Sequence, residues 1–86
     1  MISDLNTLKT KLRCVSGLNK IIEVSKIELD IKTERLIISV PTNDDASVLR
    51  HRYSKVLAKN SFNICDAIDI RCEGQSLYYF EPKIML

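Results

Sequence analysis

The stretch from Lys26 to Val40 constrains this chain most. Ile27, Leu29 and Ile31 alternate with polar residues, and so do Leu36, Ile38 and Val40 with Ile37 and Ser39; Lys32, Thr33, Glu34 and Arg35 form a polar break between the two runs. Successive side chains of a strand point to opposite faces, so each run can bury one face. A break of this length joins two strands as a hairpin, and Pro41 ends the second ladder because it has no N–H to donate. Just upstream, Ile22 and Val24 alternate on the opposite parity to Ile27, Leu29 and Ile31. A slip of one residue turns every side chain to the other face, so one straight strand cannot bury both sets. The spacing predicts a short helical turn to about Val24 and a strand over Lys26–Ile31. A bulge at Ser25–Lys26 is the alternative.

The flanking segments read as helix before and helix-then-strand after. Ser3 or Asp4 can cap a first helix, in which Leu5, Leu8, Leu12 and Val15 form one apolar stripe and Gly17 stands where a left-handed residue would end it. Leu18, Ile21 and Ile22 fit a short second helix. Thr42 or Asn43 caps a main helix whose first turn holds Asp44 and Asp45, favoured there by the helix dipole. Its buried stripe is Ala46, Leu49, Tyr53, Val56 and Leu57, and Asn60 or Ser61 ends it. Ile68, Ile70 and Cys72 then mark a third strand, Gly74 and Gln75 a turn, and Ser76–Phe80 a short fourth strand. Pro82 breaks the order, leaving residues 81–86 as a tail. A small α+β fold follows: a three- or four-stranded sheet with helices on one face, the simplest way to bury all these stripes.

At 86 residues the chain has room for a single domain. Its net charge of +2 does not announce a nucleic-acid protein by bulk electrostatics. Three cysteines, Cys14, Cys65 and Cys72, show no C-x-x-C spacing and no clustered histidine to complete a zinc site. They read as reduced thiols in a cytoplasmic protein with neither metal nor cofactor. Neither a signal peptide nor a membrane span is expected, since apolar runs reach only two or three residues. His51, the single histidine, shows no third group to orient it as a base, which a nucleophilic site needs. Gly17 and Gly74 are isolated, so no phosphate loop is present. The reading is non-enzymatic.

The one concentrated feature is basic. Arg50, His51, Arg52, Lys55 and Lys59 fall in the main helix, and His51, Lys55 and Lys59 are spaced by four. Such a strip could meet phosphates or an acidic protein; a solvated helix face is the plainer alternative. Tyr78, Tyr79 and Phe80 are the only aromatic cluster, either a cap over the sheet end or partly outward-facing. Open sheet edges can recruit another chain, and a second copy would relieve the small core.

Arg35-Leu-Ile-Ile-Ser-Val-Pro41, followed by the helix holding Leu49-Arg50-His51-Arg52-Tyr53, resembles the N-terminal domain of the bacterial replication initiator DnaA. In that family a strand of the type "L-x-I-x-A-P-N" leads into a helix with an "R-Y" pair, here Arg52-Tyr53. The resemblance implies a KH-like order of elements and a protein-interaction domain. Such a domain self-associates, docks the replicative helicase or initiator, and binds single-stranded DNA weakly. Its implied docking residues here are Leu18, Ile21 and Ile22 around the second helix, if any is exposed, beside the basic strip. Leu49-Arg50 with Ala67-Ile-Asp-Ile-Arg71 is similar to the helicase-loader family DciA. Leu49-Arg50-His51-Arg52 is also similar to the "R-H-R" helix of the BolA family. That likeness implies a glutaredoxin partner and an iron–sulfur cluster on Cys65 or His51, with Asp66 where the family's ligand histidine would fall.

Overall fold

The structure, a computed structural model, describes residues 2–85, with the side chains of residues 2 and 3 excepted. Helix α1 (Ile2–Arg13) is followed by α2 (Leu18–Glu23), β1 (Lys26–Asp30), β2 (Arg35–Val40), α3 (Asn43–Arg52), α4 (Ser54–Ser61), β3 (Ala67–Cys72), β4 (Gln75–Phe80) and a 3-10 turn, Pro82–Met85. The fold is α+β. Its sheet has the order β1-β2-β3-β4, antiparallel at both flanks and parallel between β2 and β3.

The hairpin forms as its alternation dictates. Ile27 pairs with Ile38 and Leu29 with Leu36, which places both apolar runs on one face. Across the parallel seam Leu36, Ile38 and Val40 meet Ile68, Ile70 and Cys72, and Ile68 and Ile70 meet Phe80 and Tyr78. The helices cover this face. Leu8, Leu12, Leu18, Leu49 and Leu57 complete a contiguous core with the strand residues. Leu5 and Val15 pack at its margin, although Val15 lies beyond the end of α1.

Parity also settles the segment before β1. The chain takes the short helix α2, not a bulged strand, so Ile21 and Ile22 reach the core from a helix and Val24 is left exposed. Gly17 does not end α1. It stands at the start of α2 with φ 85° and ψ −40°, in a conformation open to glycine. α1 ends earlier, tightened by Cys14 N–H donating to the Lys11 carbonyl and Val15 N–H to that of Leu12. It also begins at Ile2, so Asp4 lies within its first turn; capping by the Ser3 side chain lies outside the described residues.

The predicted helix over residues 42–60 is two helices. Thr42 caps α3, its hydroxyl accepting from Asp45 N–H at 3.1 Å. The axis then breaks at Tyr53, with φ −116° and ψ 8°. The hydrogen bonds run on through the break, Tyr53 N–H to Leu49 and Leu57 N–H to Tyr53. The break lets α3 lie over the sheet while α4 turns to α1 and the 3-10 turn. The turn between β3 and β4 is two residues, Glu73 (φ 53°) and Gly74 (φ 77°); two positive φ values match the right-handed twist of the strands they join. The segment read as a tail folds back instead: Pro82 is buried and Met85 packs against the core. Leu86 lies outside the described residues.

Candidate interaction surface

The basic residues do not form one strip. Consecutive helical residues turn by about 100°, so Arg50 and Arg52 leave α3 in nearly opposite directions. Arg50 leans to β4, its guanidinium carbon 5.3 Å from the centre of the Phe80 ring. His51 meets Tyr78 edge-on, ring centres 5.8 Å apart and planes at 78°. Both side chains are therefore partly engaged with the aromatic strand.

Arg52, Lys55 and Lys59 are exposed. Lys55 and Lys59 sit one turn apart on α4, opposite buried Leu57, Ala58 and Ser61. Among the described residues none of these three cations is in an ion pair; the pairs formed are Lys26–Glu28, Arg71–Asp69 and Lys83–Asp66. Their charge is directed outward.

The expected docking contribution of the second helix fails. Leu18, Ile21 and Ile22 are 0%, 8% and 3% exposed. α2 is short, and all of its apolar side chains turn inward to the core beside α1, so none is free to meet a partner.

The aromatic cluster is divided by the sheet. Phe80 is buried beneath the helices, and Tyr78 is half-buried beside it. Tyr79 projects from the helix-free face at 53% exposure, with the Arg35 guanidinium carbon 5.2 Å from its ring centre. Beside Tyr79 in the ladder lies Asp69, a carboxylate on the helix-free face that is nonetheless 1% exposed. Arg71 Nε–H donates to its Oδ2 at 2.9 Å, and the Ser76 hydroxyl donates to its Oδ1. Simple alternation marks Asp69 as outward but cannot show this cover. The bulge in β4 supplies it: the register shifts between Ile70 and Arg71, which brings Ser76 opposite Arg71 and onto the carboxylate's face.

Two further groups were candidates for chemistry. Cys65 is buried, its thiol donating to the Ser61 carbonyl at 3.5 Å. Burial raises its pKa, the reverse of what a thiolate ligand needs. A shallow depression at the other end of the sheet is lined by Glu34, Phe62, Asn63, Asp66 and Lys83. There Glu34 is held above the usual carboxylate range by its hydrogen bond to Asp66 and by the negative charge of that neighbour. Among the described residues no group of three or more His, Cys, Asp or Glu is placed to hold a metal ion, and no helix is long and apolar enough to cross a membrane.

Comparison with known proteins finds no matching family model, no matching curated protein and no matching solved structure.

Proposed function

We propose that the chain is a non-enzymatic docking module of the DnaA N-terminal kind. It engages a replication protein, the helicase or the initiator, through Arg52, Lys55 and Lys59. The observation that supports this reading is the outward charge of these three side chains: each is exposed, and none is neutralised by a carboxylate of its own chain among the described residues. Unpaired surface cations steer an acidic partner and fix its register more than they add raw affinity. With the apolar side of α2 buried, the contact is electrostatic at its centre and weakens as salt rises. The test is a pull-down of bacterial replicative helicase and initiator by the intact chain. Binding to either, lost in Lys55→Glu/Lys59→Glu, is the expected result. Failure to retain both proteins would end the proposal.

A second reading is single-stranded DNA binding, favoured by Tyr79. An exposed ring flanked by a guanidinium offers a stacking platform beside a phosphate contact. Affinity should then fall with salt at a log–log slope of about −0.7 per phosphate neutralised, and Tyr79→Ala should reduce it at every salt concentration. Binding that ignores both would reject this reading.

A further inference from the structure

We infer that β4 is a self-pairing edge, and that two copies of the chain join antiparallel along Gln75–Phe80 into one continuous sheet. The sheet has two edges, β1 and β4, and they differ in kind. β1 carries Lys26, Glu28 and Asp30 within five residues, with Lys26 and Glu28 paired at 3.6 Å. Charge of that density guards an edge against a further strand. β4 reads Gln-Ser-Leu-Tyr-Tyr-Phe, with no charge and no proline. Its outer backbone groups face no described strand, and an extended neighbour would satisfy them.

The bulge decides which neighbour fits. In a regular strand, antiparallel pairing with a copy of itself brings like faces together only when the paired residue numbers are both odd or both even. Full overlap of Gln75–Phe80 pairs odd with even, so a regular strand could not use it. The bulge changes the parity part-way along β4. Gln75 lies opposite Cys72 on the helix-covered face, Ser76 bonds Asp69 on the open face, and Leu77 packs against the core. Tyr78 and Phe80 are again on the covered face, and Tyr79 on the open one. Full overlap then sets Gln75 against Phe80 and Leu77 against Tyr78 on the covered face, and Ser76 against Tyr79 on the open face. Every pair matches.

Each end of the seam carries one guanidinium per face: Arg50 leans over Phe80 on the covered face and Arg35 over Tyr79 on the open one. The same surface repeated on both copies is what a two-fold interface requires. This contact is separate from Arg52, Lys55 and Lys59, so it can stand or fall without the docking reading.

The test uses the full chain in sedimentation equilibrium. Gln75 is exposed in the single copy, so changes there leave the fold intact, which circular dichroism checks. In the pair it faces Phe80 of the other copy, beneath that copy's Arg50. Gln75→Lys should therefore weaken the dimer by about tenfold and Gln75→Glu should not. In an Arg50→Glu background the order should reverse. A chain that stays monomeric at its highest soluble concentration overturns the inference. So does a dimer indifferent to the charge at position 75. Concentration-dependent protection of the amides of 75–80 from hydrogen exchange is the confirming readout.

Discussion

Gly17→Ala is the sharpest probe of how the α1–α2 link meets the break between α3 and α4. At φ 85° and ψ −40° an L side chain is strained by about 1–3 kcal/mol. A methyl built on Gly17 would also lie 2.5 Å from the Tyr53 hydroxyl oxygen. Forcing that contact costs roughly another 1–3 kcal/mol. Together these come to about 4 kcal/mol, against a total of about 0.05–0.15 kcal/mol per residue for a domain of this kind. Tyr53→Phe removes only the oxygen. Its hydroxyl donates to the Ser16 carbonyl at a long 3.4 Å, so that change alone should cost about 0.5 kcal/mol. In the double variant the clash is gone and the strain remains. Urea unfolding followed by circular dichroism should then show the two changes to be less than additive by about 2 kcal/mol. Additivity within about 0.5 kcal/mol would refute this account and place the whole cost of Gly17→Ala in the backbone.

Three other outcomes follow from the geometry. Asp69→Ala strips Arg71 and Ser76 of their shared acceptor and should destabilise by about 2 kcal/mol in urea unfolding, since a charged hydrogen bond is lost. Thr42→Ala removes the α3 cap and should cost about 1 kcal/mol, with Asp45 N–H exchange accelerated. The Cys65 thiol has its pKa raised by burial, so the native chain keeps a proton that the unfolded chain loses above about pH 8.5. That contribution is fully present below the unfolded value and is lost as pH rises toward the folded one. The urea midpoint should therefore drop between about pH 7.5 and pH 9.5, and drop less in Cys65→Ala.

Much of the architecture was legible because side-chain period is local. The parity change between Ile22 and Ile27 separated α2 from β1, and the alternation of Leu36, Ile38 and Val40 gave β2 its inward face. Two features were hidden. The break at Tyr53 leaves no mark, because Ala46, Leu49, Tyr53 and Leu57 keep helical spacing across it and no glycine or proline stands there. It arises from what α3 and α4 pack against, which lies far off in sequence. The cover over Asp69 depends on the β4 bulge, which neither composition nor spacing encodes. The basic residues were legible as a group, but their directions were not. Arg50 and His51 are drawn to rings that lie more than twenty residues along the chain.

The parallel pairing of β2 with β3 bears on how the chain reaches its native state. Each flanking hairpin closes through a short turn and can assemble by itself. Their union needs the whole crossover of α3 and α4 to be in place, since parallel strands cannot be joined by a tight turn. Loop entropy is lost before that union is rewarded, which makes the seam the costliest of the three strand pairings to close. Until it closes, Leu36, Ile38, Ile68 and Ile70 stand open to solvent. That interval is when a nascent chain is most exposed to aggregation.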